Sequence, residues 1–110
     1  MNPNETLGEI EEFVLLAILH LGDDAYGVPI IGEISERTGR EVAPAAVYVA
    51  LRRLRRKELV TARISDPEPV QGGRARRYFS VTSAGVNMLA SSRDRMLSMW
   101  DGLQPILERR

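Results

Sequence analysis

Apolar residues along this chain keep to steps of three and four except between residues 59 and 81, and that interruption does most to limit the fold. Residues 59–64 and 77–81 are short runs that read as strands. Between them, Pro67, Pro69, Gly72 and Gly73 break any regular element and turn the chain. Strand, turn and strand make one antiparallel hairpin. With helical patterns on both sides, the sequence predicts a mainly α fold carrying a small β-hairpin.

Upstream, Leu7, Ile10, Phe13, Val14, Ala17, Ile18 and Leu21 form one apolar stripe, which predicts a first helix over residues 7–21. Thr6 with Glu9 fits a capping box at its start, and Gly22-Asp23-Asp24 ends it. A second helix is predicted over residues 26–38. Pro29 falls in its first turn, where a missing N–H is tolerated. Val28, Ile31 and Ile34 supply its buried side, and Gly39 stops it. A third helix is predicted over residues 44–57, its first turn pre-set by Pro44. Val47, Leu51 and Leu54, with Tyr48 and Ala50 beside them, make the inward face. Arg52, Arg53, Arg55, Arg56 and Lys57 crowd its C-terminal half, where cations suit the helix dipole.

Beyond the hairpin, Thr82 or Ser83 caps a last helix. Val86, Leu89, Met96, Trp100, Leu103 and Leu107 step by three, seven, four, three and four, with Arg93 at the missing heptad position. This is a coiled-coil-like seam with one polar interruption. Gly102 and Pro105 bend or break its last turns.

The 110 residues form one compact unit, divided functionally at residues 82 and 83. Cysteine is absent and His20 stands alone, so neither thiolate chemistry nor a metal cluster is readable, and no cofactor is expected. Catalysis needs a nucleophile with its base, a carboxylate pair or a metal set, and the abundant carboxylates here follow a charged helix face instead. Gly72-Gly73 is not followed by Lys and Ser or Thr, which excludes a P-loop. No enzyme is expected. The longest apolar stretch, residues 13–19, is too short to span a bilayer, and the polar, acidic start carries no secretory signal. A cytoplasmic protein without membrane contact is expected.

The net charge of zero hides a segregation. Residues 1–36 hold eight acidic and no basic side chains, whereas residues 37–77 hold eleven basic and four acidic ones. Salt screens charges beyond roughly 8–10 Å, so a local basic surface attracts phosphate despite distant carboxylates.

Three helices followed by a hairpin and a long helix match the winged helix-turn-helix arrangement by analogy of fold. The residues also resemble the PadR family of transcription regulators. The resemblance lies in Asp24-Ala25-Tyr26-Gly27, Ala46-Val47-Tyr48-Val49-Ala50-Leu51-Arg52-Arg53-Leu54, Leu59-Val60, Gly72-Gly73-Arg74-Ala75-Arg76-Arg77-Tyr78 and Val81-Thr82-Ser83-Ala84-Gly85, in the family's order and spacing. It implies a winged helix-turn-helix DNA-binding domain over residues 5–82 and a dimerisation helix over residues 83–110. It also implies repression of nearby genes, relieved in some members by a small-molecule inducer. By that similarity the third helix enters the major groove and the wing, residues 72–77, reaches the minor groove or backbone. Two departures stand out. Glu58 sits where many members have glycine, which puts the exit angle of the third helix in question. Pro44-Ala45 precede the Ala-Val-Tyr run where a small residue or glycine is common.

The expected DNA-binding residues are Pro44, Ala45, Ala46, Tyr48, Val49, Arg52, Arg53, Arg56, Arg74, Arg76 and Arg77. Guanidinium grips phosphate or guanine in a fork, and Arg52 is the helix residue expected to read a base edge. The small side chains Ala45, Ala46 and Val49 suit a thymine methyl, and the Tyr48 hydroxyl a phosphate oxygen. Arg55 and Arg56 have an alternative partner in the acidic first helix, and Tyr26 is expected as a structural contact beneath the third helix. The dimer interface is expected at Leu89, Met96, Trp100, Leu103 and Leu107, with Trp100 and Met96 as candidate ligand contacts. The function expected is sequence-specific binding of double-stranded DNA by a homodimer on a pseudo-palindromic operator. The alternatives are a protein-binding winged-helix adaptor and a drug-sensing regulator with a ligand slot between subunits.

Overall fold

The computed structural model describes residues 6–65 and 76–110. α1 spans Glu9–Leu21, beginning two residues later than its apolar stripe. Its cap is Gly8 rather than Thr6. The Gly8 N–H donates to Glu11 Oε1 at 2.8 Å, and because glycine has no side chain to return the bond, only the carboxylate half of a capping box forms. Glu9, expected in that box, instead accepts from Arg40 Nη1 at 2.7 Å. A 3-10 turn over Gly22–Asp24 leads to α2, Gly27–Thr38. Ile30 and Ile34 are its buried residues, with Ile31 beside them. Val28 is not buried but 69% exposed, because a residue two before Ile30 points to the opposite side of the helix.

α3 covers Pro44–Arg56 and buries Val47, Ala50, Leu51 and Leu54. Tyr48, expected on the inward face, lies at its margin and stays 43% exposed. The helix ends in a Schellman arrangement: Leu59 N–H donates to Leu54 C=O at 2.9 Å and Glu58 N–H to Arg55 C=O at 3.0 Å. Leu54 and Leu59 are both fully buried, which supplies the apolar contact such a cap uses. The left-handed residue is Glu58, at φ 61°. With glutamate rather than glycine at this position, the chain takes the left-handed turn together with its Cβ penalty.

The chain then enters β1, Val60–Ile64, which pairs antiparallel with β2, Arg77–Val81, in the register Val60 to Val81 and Ile64 to Arg77. The hairpin is held to the helices by a further backbone bond, from Phe79 N–H to Ala25 C=O at 2.8 Å. α4 spans Ser83–Trp100. Thr82 is its cap, accepting from Gly85 N–H at 3.1 Å while its own hydroxyl donates to Glu58 C=O at 2.9 Å. A Cβ at Gly85 would stand 2.5 Å from the Leu59 carbonyl oxygen, so only glycine lets α4 start this close to β1. The last helix breaks at Asp101 and Gly102, as Gly102 and Pro105 suggest, and resumes as α5, Gln104–Glu108, with Pro105 in its first turn.

One core joins α1, α2, α3 and the hairpin through Leu15, Ile30, Val47, Leu54, Leu59 and Phe79. Of α4, Ala84, Met88 and Leu89 pack against it, and Gly85 is buried where the helix starts. The second half of that helix projects away with every residue from Arg93 onward exposed.

Candidate nucleic-acid interface

The outward side of α3 follows from its buried side. Ala45, Val49, Arg52 and Arg56 recur at four, three and four residues, forming the ridge opposite Val47, Ala50, Leu51 and Leu54. Tyr48 and Arg55 lie on the flank toward the hairpin, and Ala46 and Arg53 on the flank toward α1. Pro44 and Ala45 are exposed at the N-terminal end, while Ala46 and Val49 are half-buried.

A cleft of about 380 Å³ separates α3 from the hairpin. Tyr48, Arg52 and Arg55 line one wall, Arg76, Arg77 and Phe79 the other, and Tyr26, Gly27 and Val28 the end. The exposure of Val28 is thereby explained. It contributes to a surface cleft rather than to the core. Four arginines thus line one cleft, from segments that lie more than twenty residues apart in the chain. Among the described residues, Arg52, Arg55, Arg56 and Arg77 have no ion-pair partner. Arg74 lies outside the described residues.

Two local features build the cleft. Tyr48 lies across the start of α2, where a Cβ on Gly27 would collide with its hydroxyl and ring. The adjacent Tyr26 shares the cleft with Tyr48, Leu51 and Arg52 of α3. Its ring stands edge-on to Tyr78 of β2, with centroids 5.4 Å apart at 65°. The Arg76 guanidinium lies 4.6 Å from the Tyr26 centroid, and that of Arg63 4.6 Å from the Tyr78 centroid. The result is a row of cation, ring, ring and cation.

Arg53 belongs to a different surface. It lines a shallow groove with Ala45, Ala46 and Val49 against Glu9, Ile10 and Glu11 of α1. The acidic first helix is met not by Arg55 or Arg56 but by Lys57, whose Nζ donates to Glu11 Oε2 at 2.8 Å. The reason is angular: Arg55 faces the hairpin and Arg56 the solvent ridge. Burial of the Glu11 carboxyl alone would raise its pKa. The Lys57 hydrogen bond, the Gly8 amide and the charges of Lys57 and Arg53 outweigh this and hold it below its ordinary value.

A second surface is apolar. Met96 and Trp100 of α4, Leu103 at the break before α5 and Leu107 of α5 are exposed, together with Met99, which is 75% exposed. Leu89 differs from them, being half-buried against the chain's own core. Leu16 and Leu19 of α1 are exposed too, and line a groove with Val86, Leu89 and Met96 of α4. Ser92 donates to Glu12 across its edge. Trp100 also borders a shallow depression with Leu107.

Sequence reasoning missed Leu16 and Leu19, and left Arg55 open between phosphate and the acidic first helix. Arg55 stands three residues after Arg52 and seven after Tyr48, a spacing that places all three on neighbouring strips of one helix. Leu16 and Leu19 lie off the main stripe of α1, and two leucines three apart on the polar side mark a second apolar face. Among the described residues no group of His, Cys, Asp and Glu is placed to hold a metal ion, and no helix is long and apolar enough to cross a membrane.

A family model described as the transcriptional regulator PadR-like family matches residues 15–91. Three solved structures illustrate the likeness of fold. A PadR family transcription regulator from hypervirulent Clostridium difficile R20291 is 22% identical, with 93% of this chain and 97% of that one covered at a TM-score of 0.69. A PadR-like transcription factor from Bacteroides fragilis is 24% identical over 88% of each chain, at a TM-score of 0.70. Bordetella bronchiseptica BpsR, whose DNA binding is regulated by 6-hydroxynicotinic acid, is 18% identical over 96% of this chain and 74% of that one, at a TM-score of 0.62. No curated protein matches the chain. The order of helices, hairpin and C-terminal helix is that of the PadR winged-helix structures.

Proposed function

Because the chain belongs to the PadR-like family of transcriptional regulators, we propose that it is a repressor that binds a pseudo-palindromic operator as a homodimer. The observation that carries this reading is the convergence of Arg52 and Arg55 with Arg76 and Arg77 on one cleft. Arginines of α3 and of the hairpin gain their full electrostatic effect on a surface that both can offer to one stretch of duplex. In this reading the ridge of Ala45, Val49, Arg52 and Arg56 enters the major groove. Arg52 reads a base edge, Tyr48 and the N-terminal turn after Pro44 take phosphate, and Arg76 and Arg77 grip the neighbouring backbone. Arg53 makes a peripheral phosphate contact.

The projecting half of α4 supports the homodimer. Met96, Met99, Trp100, Leu103 and Leu107 are all exposed along one stretch of chain, and a cluster of exposed apolar side chains is the kind of surface a partner covers. A second copy covers it and sets two α3 helices roughly 34 Å apart, one turn of duplex. Occupancy of the operator then blocks access of polymerase.

Binding of the protein to a duplex from its own upstream region, measured at two ionic strengths, tests the reading. Affinity should fall steeply with salt as phosphate counterions are released. A flat response would remove it. The half-exposed Trp100 beside Met96 also favours a small-molecule inducer held between the subunits, as a planar, apolar compound stacked on the indole. Quenching of tryptophan fluorescence by such compounds tests that part separately.

A further inference from the structure

Two grooves run along α1, and they share Leu16. This side chain lines the groove against α4 with Leu19 and Met96. It also lines a recess of about 160 Å³ against α2, with Phe13, Ala17, His20 and Ile34. The Glu33–Arg37 ion pair stands at the edge of that recess. An apolar space of this order holds a benzene-sized group, so it takes one branched side chain and not a whole helix. The molecule is elongated, 55 × 34 × 21 Å, and residues 93–110 are exposed throughout. This arm has two parts, the end of α4 and α5, because the helix breaks at Asp101 and Gly102. In the second part, the Ile106 and Leu107 N–H groups both donate to Leu103 C=O, at 3.0 and 3.1 Å. That single turn gathers Leu103, Ile106 and Leu107 on one side. Ile106 is 59% exposed, and no residue of α5 belongs to the chain's own core.

We propose that α5 of one protomer seats on the α1–α2 face of a second copy, with Ile106 entering the recess beside Leu16. The seating rests on the homodimer reading above and adds to it a named contact. Two parts of one arm then fill two grooves that adjoin at Leu16. Met96 and Trp100 cover the groove against α4, and α5 covers the recess against α2. The break at Asp101 and Gly102 lets the arm step over Leu16. A helix of five residues is far too short to hold in water alone, and the seat supplies the packing that its own chain does not. Charge fits as well. Asp23, Asp24 and Glu36, in α2 and the turn before it, have no ion-pair partner among the described residues, and neither have Arg109 and Arg110 directly after α5. Opposite charges around an apolar contact fix its register.

The chain contains no cysteine, so introduced thiols report the contact without background, and a disulfide demands Cα atoms within about 7 Å. The full chain carrying both His20→Cys and Ile106→Cys, mildly oxidised, should run as a covalent dimer on a non-reducing gel. Thr38→Cys replaces His20→Cys at the recess should the latter fail to fold. Gly32→Cys with Ile106→Cys should not cross-link, because Gly32 lies on the opposite side of α2, where a Cβ meets open space. Ile106→Asp should weaken self-association by about tenfold in sedimentation equilibrium and leave the helical content by circular dichroism unchanged. A dimer in solution that does not cross-link through the recess, or that ignores Ile106→Asp, overturns the seating and leaves the homodimer standing. So does a covalent dimer from Ile106→Cys alone, which sets two α5 helices against each other, or a disulfide closed within one chain. A parent protein that stays monomeric at the same concentration overturns both the seating and the homodimer.

Discussion

Lys57 Nζ donates to Glu11 Oε2 at 2.8 Å, joining the residue that caps the end of α3 to the first turn of α1 across 46 positions of sequence. The carboxylate also accepts the Gly8 N–H, so one side chain both starts α1 and anchors the exit of α3. Glu11 is buried, whereas about a third of the Lys57 side chain meets solvent.

Glu11→Gln should therefore destabilise the protein by about 1–2 kcal/mol at neutral pH, the scale of a charged hydrogen bond weakened by partial solvent access. The folded carboxyl ionises at lower pH than the unfolded one, whose value is near 4.5. Its stabilisation is thus complete above that value and is lost as pH falls through the folded pKa. Urea unfolding at several pH values should show the parent losing its advantage over Glu11→Gln below about pH 4.5. An advantage that is unchanged in acid would contradict the assignment.

At Glu58 the direction reverses. The left-handed backbone at φ 61° suits glycine, so Glu58→Gly should stabilise the fold by about 1 kcal/mol. The bonds that close the α3 turn are made by backbone groups and survive the substitution. A rise of a few degrees in melting temperature is the expected readout.

Gly85→Ala should do the opposite. Its Cβ would meet the Leu59 carbonyl oxygen at 2.5 Å and Val81 Cγ1 at 2.6 Å, and the carbonyl is backbone already accepting from Thr82 N–H at 3.0 Å. A loss of about 1–3 kcal/mol in denaturant unfolding is expected from such overpacking.

The two neighbouring arginines of α3 should behave differently. Arg52 sits on the outward ridge and in the cleft, whereas Arg53 lines the groove against α1. Arg52→Ala should cost about 1–3 kcal/mol on the preferred duplex and flatten discrimination among sequences. Arg53→Ala should weaken all sequences alike and by less. Fluorescence anisotropy on matched and scrambled duplexes separates the two outcomes.

Placing a carboxylate in the exposed apolar surface should separate the proposed dimer. Met96→Glu and Leu16→Glu each put charge into the groove between α1 and α4, and should weaken self-association by at least about tenfold. Sedimentation equilibrium reads the change, and an undiminished dimer with both would move the interface elsewhere.

Much of this architecture was legible in the residues. Pro44 and the period of Val47, Leu51 and Leu54 mark α3, and the Pro- and Gly-rich segment marks the hairpin, because these signals act within a few residues. Contacts between distant residues were not legible. Nothing near Thr6 reveals that Glu11 already serves Gly8 and Lys57. The bond from Phe79 to Ala25, which no short-range pattern encodes, brings Tyr26 to the hairpin. Arg55 is one arginine in a run of four, and its side is decided by which turn of α3 is buried. Leu16 and Leu19 fall off the main stripe because α1 has two apolar faces and only one of them meets the chain's own core.

The single bond between Phe79 and Ala25 has a consequence for how any signal could travel. It ties β2 to the turn from which α2 departs as well as to β1, so the wing root is braced against the helical core. In the proposed homodimer, a displacement of α4 is therefore expected to act on the gauge between two braced units, like the jaws of a caliper, rather than on one wing alone.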